Sequence, residues 1–270
     1  MEMTRKHTAS LPPRSGSHGE ALMYQYGSPS GGTTEPNVVA QWLFDEASGN
    51  IVDEVASRSL TQVGSPTYRQ NTSEYSSQMS LGIRCSPSAT EAAFKIATPP
   101  TELNFGTSSG VIEWVARFDD VTGAGVGGAT DGTFWDTRSG AAQSGINILL
   151  TSVNLATGGY QIQIIATDAT TVTMNLTNPH AGAAPWISSI GVSHKWRLVV
   201  NRAANAQLFY DGVALGTPAS LATLIGKSIT SSAMGVATRY DTARPLDVTF
   251  NELRFTIGNI TNNSGGPGNG

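Results

Sequence analysis

Glu113 and Glu252, an aspartate-bracketed glycine loop, four scattered histidines and five tryptophans are the residues of this 270-residue chain that could serve a chemical site. Hydrolysis of a glycosidic bond needs two carboxyl groups roughly 5–10 Å apart across a cleft. Glu113 stands with Val115 and Arg117 on one face of a strand, and Glu252 has Asn251 and Arg254 beside it rather than a second acid. Both therefore read as residues of a sheet face, where charged side chains are ordinary. Nucleophilic catalysis is not signalled: Gly-x-Ser-x-Gly is absent, and Gly140-Ala-Ala-Gln-Ser144-Gly lacks the strand-to-helix setting of a nucleophile elbow. His7, His18, His180 and His194 are widely separated, and His194 reads as a packing or capping residue ahead of a strand.

The strongest cluster is Asp119, Asp120, Asp131 and Asp136 around the run Thr122-Gly-Ala-Gly-Val-Gly-Gly128. Those glycines cradle no phosphate, because a Lys-Ser/Thr ending and a following helix are missing. Among aromatic residues, Trp42, Trp114 and Trp196 fall in phase with core positions, whereas Trp135 and Trp186 are the candidates for stacking on a sugar. Trp186 follows the loop Pro179–Pro185, where packing as a loop plug is the competing reading. Cys85, the one cysteine, reads as an inert buried thiol.

Strands must position these residues. In Gly110 to Asp119, Ile112, Trp114, Ala116 and Phe118 share one face; Tyr160, Ile162 and Ile164 alternate with glutamines; Val172, Met174 and Leu176 alternate with Thr171, Thr173 and Asn175. This period of two marks half-buried antiparallel strands. Further strands are predicted over Val38–Asp45, Ser59–Val63, Ala92–Ala97, Gly132–Thr137, Gly145–Leu150, His194–Asn201, Ala206–Asp211, Ala233–Arg239 and Asp247–Phe255. Asp211-Gly212 between Gln207–Tyr210 and Val213–Leu215 predicts a type I′ hairpin, whose two central residues take positive φ. A dozen such strands with short connections and no amphipathic helix predict an all-β fold of two antiparallel sheets packed face to face.

Residues 1–36 are rich in Pro, Gly, Ser and Thr and hold too few apolar residues to make a core, so they are expected to form an extended arm ordered by a neighbour. Residues 37–261 are the expected sandwich, and 262–270 a Gly-rich tail. Charged residues are only 13% of the chain and the formal charge is −4, which leaves no basic field for a nucleic acid. No apolar run suits a signal peptide or a membrane span, so the expected product stays in a host cytoplasm until it joins a particle.

Three segments carry a resemblance to a known family. Val39-Ala-Gln-Trp42-Leu-Phe-Asp45-Glu-Ala-Ser-Gly49 with Val52-Asp53 is similar to an opening strand, His194-Lys-Trp196-Arg-Leu-Val-Val200 with Leu208-Phe-Tyr-Asp211-Gly212 to a central strand and its hairpin, and Phe250-Asn-Glu252-Leu-Arg-Phe255 to the closing strand, of the laminin-G-like, concanavalin A-like jelly-roll family. Asn251 departs from the aspartate usual in that closing strand, and the arm has no counterpart. The resemblance spans roughly residues 38 to 260 and implies a jelly-roll sandwich with a concave face that binds carbohydrate or protein. It also implies a candidate calcium at Asp119, Asp120 and Asp131, although the spacing fits no fixed calcium motif and a turn-rich connection is the plainer reading. The Glu-x-Asp-x-x-Glu string of glucanase relatives does not occur.

A non-catalytic structural virion protein, specifically a bacteriophage head-decoration protein, is the function expected from this reading. The arm would anchor it to the major capsid protein or another virion protein, with Arg5, Lys6 and Arg14 pairing with acidic patches and Leu22, Met23, Tyr24 and Tyr26 filling apolar grooves. Copies of itself are expected neighbours on that lattice. The alternative is a carbohydrate- or receptor-binding adhesin that recognises a host surface glycan. No cofactor, nucleic acid or membrane partner is expected, and a glycosidase is the least supported reading.

Overall fold

A computed structural model describes residues 38–72, 80–86, 92–99, 101–120, 132–151, 159–177, 191–241 and 244–258. The arm residues Arg5, Lys6, Arg14, Leu22, Met23, Tyr24 and Tyr26, together with Trp186 and Asp131, lie outside this set.

Sixteen strands form the described body. They are β1 (Val38–Trp42), β2 (Ile51–Val52), β3 (Ser59–Val63), β4 (Thr67–Asn71), β5 (Leu81–Cys85), β6 (Ala93–Ile96), β7 (Gly110–Asp120) and β8 (Gly132–Asp136). They continue as β9 (Gly145–Thr151), β10 (Gly159–Ile165), β11 (Thr171–Thr177), β12 (Ser193–Val200), β13 (Asn205–Tyr210), β14 (Val213–Ser220), β15 (Met234–Val236) and β16 (Asp247–Ile257). The first sheet runs β14-β13-β12-β7-β16-β5-β4, with β1 also on β16; the second runs β11-β10-β9-β8-β15-β6-β3-β2. Every pairing between these strands is antiparallel. The expected all-β sandwich is thus the observed fold.

Alternation explains the core. Ile112, Trp114, Ala116 and Phe118 of β7 and Trp196, Leu198 and Val200 of β12 all point inward and are buried. They meet Ile146, Ile148 and Leu150 of β9 and Tyr160, Ile162 and Ile164 of β10 in one cluster between the sheets. Aromatic rings fill its centre: Trp114 stacks parallel to Trp196 at 6.0 Å, Trp135 meets Trp114 edge-on at 5.5 Å, and Phe134 lies 5.2 Å from Trp196. The Trp196 indole N–H donates to the Tyr160 hydroxyl at 3.0 Å, so this polar tip is satisfied inside.

The hairpin at Asp211-Gly212 forms as predicted, with φ of 46° and 81° at the two residues. Cys85 is buried, as expected for an inert thiol. Three strands escaped the sequence reading. β2 has two residues, β4 is polar along its length, and Gly82 interrupts the pattern of β5. That glycine is needed: a Cβ there would sit 2.7 Å from the Phe250 carbonyl oxygen of β16. The strand predicted over Ala233–Arg239 shrinks to β15, because Ala237 turns at φ 63°. The chain after it folds back so closely that a Cβ on Gly235 would collide with the Thr238 carbonyl and the Arg239 backbone.

Candidate functional site

The outer face of the first sheet carries a transverse row of chemistry-bearing side chains. Cross-strand register sets Phe209 of β13 opposite Arg197 of β12, Arg197 opposite Glu113 of β7, Glu113 opposite Arg254 of β16, and Arg254 opposite Gln41 of β1. On the next rung Lys195 and Glu252 flank Val115. Glu252 reaches this face only because a register break between Phe250 and Glu252 inserts Asn251, so that Phe250 packs in the core while Glu252, two residues on, faces out. The sequence-based expectation that Glu252 has no second acid near it is corrected here: Glu113, on the adjoining strand, shares its cations.

Glu113 receives the Lys195 ammonium at 2.9 Å, the Arg254 guanidinium in direct contact and Arg197 at 3.9 Å. Burial by itself would raise its pKa, but Arg254 and then Lys195 outweigh burial and hold the carboxyl at about 2. Glu252 accepts the Gln41 amide at 2.8 Å. Its pKa is raised, chiefly by burial, because Arg254 only partly compensates and the Glu113 carboxylate opposes its charge. Burial also lowers the Lys195 pKa. Two acids with pKa values pushed apart are the raw material of acid–base catalysis. Glycosidic cleavage would also require substrate between them. Glu113 and Glu252 are only 8% and 3% exposed, and the Glu113 oxygens are already committed to cations. Chemically the cluster is a sealed ion-pair network.

Asp119, a candidate calcium ligand, is likewise engaged. Its carboxylate pairs with Arg117 at 2.9 Å and accepts from the Thr249 hydroxyl at 2.5 Å. Asp136, also in the candidate loop, is buried against Arg138, whose Nε and Nη2 each donate at 2.8 Å. Its pKa is raised by burial, against the lowering effect of Arg138. Among the described residues no three acidic, histidine or cysteine side chains are grouped to hold a metal. Asp119 and Asp136 therefore do not fit the calcium expectation; Asp131 and the Asp120 side chain lie outside the described residues.

Trp135 is not a sugar-stacking residue. A register break between Thr133 and Trp135 turns both Phe134 and Trp135 inward, and the Trp135 ring is 0% exposed against Phe255 and Trp114. The accessible aromatic of the row is Phe209, half-buried, with the Arg197 guanidinium 6.0 Å from its centroid. Sequence reasoning passed over this pair. The short connection between His194–Asn201 and Ala206–Asp211 held the signal, because a tight hairpin there fixes Arg197 opposite Phe209. At the rim, His194 packs on Tyr210 at 4.7 Å, and its Nδ1 lies 2.6 Å from Asp211, which also accepts the Lys195 backbone N–H. This is the packing role expected for His194.

Two sheets with this order define a concanavalin A-like jelly-roll sandwich. Among solved structures the chain is similar to the receptor-binding domain of botulinum neurotoxin type G (10% identity, TM-score 0.53, covering 83% of this chain and 48% of that one). It is similar also to the binding domain of paraclostridial mosquitocidal protein 1 (12%, 0.54, 82% and 49%) and to the botulinum neurotoxin serotype D/C binding domain (8%, 0.58, 83% and 49%). The chain thus spans about half the length of each of these structures, and at such identities the likeness is one of fold. No protein-family profile matches the sequence, and no curated protein matches it either.

Proposed function

We propose that this chain is a non-catalytic recognition module that binds a receptor or glycan at a cell surface. The observation that carries the reading is the likeness in fold, over 82–83% of the chain, to binding domains of toxins. Two features of the chain support it. The paired acids of the sheet face are buried and the Glu113 carboxylate is committed to Lys195 and Arg254, which speaks against a part in hydrolysis. Phe209, with the half-exposed Arg197 guanidinium over its ring, puts an aromatic group and a cation at one place on the sheet face, a combination suited to a sugar ring bearing an acidic or hydroxyl substituent. Trp186 remains a second candidate contact. The capsid-decoration reading rests on residues 1–36, which lie outside the described residues, and on the charge-poor composition; the toxin domains lend it no support.

Binding of the full chain to a glycan array and to intact cells tests the proposal. Phe209→Ala, Arg197→Ala or Trp186→Ala is expected to weaken the wild-type signal at least tenfold with the fold intact. Absence of any glycan or cell-surface ligand would overturn the reading, as would polysaccharide cleavage abolished by Glu113→Gln.

A further inference from the structure

A sheet edge is a row of unpaired backbone groups, and soluble proteins blunt such edges with short strands, charges, prolines or bulges. Among the described residues most outer strands of this sandwich carry those devices. β2 has two residues; β4 breaks register between Thr67 and Gln70, with Arg69 at φ 54°; β14 contains Gly216 and Pro218. β1 breaks register between Val38 and Ala40. β11, the outermost strand of the second sheet among the described residues, has none of them. It runs seven residues, Thr-Val-Thr-Met-Asn-Leu-Thr, in unbroken register with β10 and without a charge, proline or glycine.

The direction of the backbone groups that β10 does not use follows from the turn that precedes it. The Ala166 N–H donates to the Thr170 carbonyl at 2.9 Å, which makes that pair a hydrogen-bonded one. Antiparallel ladders alternate, so Val172, Met174 and Leu176 bond to β10, while the backbone groups of Thr171, Thr173, Asn175 and Thr177 point away from the sheet.

Read backwards, the strand nearly repeats itself: threonine ends, Val172 against Leu176, Thr173 against Asn175, with Met174 at the centre. We propose that β11 pairs antiparallel with β11 of a second copy of this chain about a two-fold axis at Met174, joining two sandwiches through one continuous sheet. That register sets Thr173 opposite the partner's Asn175, so outward-pointing groups meet outward-pointing groups. It also continues the inner layer, with Val172 opposite the partner's Leu176 and Met174 opposite its own copy, and it opposes no like charges. A second observation marks the same side. Val213 and Ile225, 66% and 62% exposed, are the most exposed large apolar residues described. Val213 belongs to β14, which packs on β11 so closely that a Cβ on Gly216 would approach Leu176 to 2.8 Å. Ile225 follows the 3-10 turn Ala222–Leu224, which also packs on β11. Exposed apolar side chains on elements that pack against an edge strand supply burial that backbone pairing alone lacks. This inference stands apart from the recognition reading, since a dimer forms whatever ligand it binds.

Sedimentation of the full chain gives the test. Wild type is expected to sediment as two chains, and Thr173→Pro, which removes an outward N–H that β10 does not use, as one chain with unchanged circular dichroism. Should that variant misfold, Thr173→Lys/Asn175→Lys sets lysines across the axis from one another and is expected to halve the mass equally. Hydrogen exchange gives a separate readout: the amides of Thr173 and Asn175 are slow in wild type, the position-175 amide becomes fast in Thr173→Pro, and both become fast in the lysine variant. A wild type that sediments as one chain at its highest soluble concentration overturns the inference. So does a folded variant that stays dimeric, or fast exchange at both wild-type amides.

Discussion

Glu113 and Glu252 lie within one cluster, yet the fold treats their protons in opposite ways. The Glu113 pKa is lowered from 4.5 to about 2, so its carboxylate contributes stability above pH 4.5 that is lost as the pH falls towards 2. Glu113→Gln is therefore expected to cost about 3 kcal/mol at pH 7, as removal of one partner from a buried ion pair does, and to cost progressively less below pH 4.5. Urea melts at pH 7 and pH 3 check it. For Glu252 the sign reverses. Its raised pKa means that the folded state prefers the protonated acid, so stability declines as the pH rises above 4.5. Glu252→Gln keeps the acceptor for Gln41 and mimics that protonated state. Its melting temperature should exceed wild type at pH 7, with the difference vanishing towards pH 4; a lower melting temperature at pH 7 would contradict the assignment. Glu113 and Glu252 were legible in the sequence one at a time, as sheet-face acids. Their shared cations were not, because Glu113 and Arg254 are separated by 141 residues and meet only through strand order.

At the scale of elements, the breaks in register matter more than the regular strands. The extra residue at Asn251 turns Glu252 outward and divides β16, whose first half pairs with β5 and whose second half pairs with β1. The break in β8 buries Trp135. Period-two reading located both strands but carried no signal of either bulge, since one inserted residue inverts every face after it. Gly235 marks another such place. Its expected substitution, Gly235→Ala, destabilises by about 2 kcal/mol, because the obstructing atoms are backbone and have no rotamer to change. Thermal melts of the single variant decide this, and a neutral result would mean that the return from Ala237 to Tyr240 is not seated on β15. Turn chemistry was the most dependable local signal, as Asp211-Gly212 shows: the positive φ values that it requires are a property of two adjacent residues and need no tertiary partner.

For the molecule as a whole, stability is concentrated in the aromatic layer between the sheets. Trp114 touches Trp135, Trp196 and Phe134 at once, so Trp114→Ala is expected to cost roughly 3–5 kcal/mol and to leave a soluble but loosened sandwich. Denaturant unfolding followed by circular dichroism measures the loss, and a cost below about 1 kcal/mol would show that the layer repacks. By itself the amino-acid order determined what depends on near neighbours: the strand period, the hairpin, the all-β class and the inward phase of Trp42, Trp114 and Trp196. The tertiary structure alone decided which distant side chains share a charge, that Trp135 is sealed, that Asp119 is occupied by Arg117 and Thr249, and that β11 is the last strand of its sheet among the described residues. Alternation along a strand is fixed by local backbone geometry, whereas strand order and bulges are settled by the packing of segments more than a hundred residues apart.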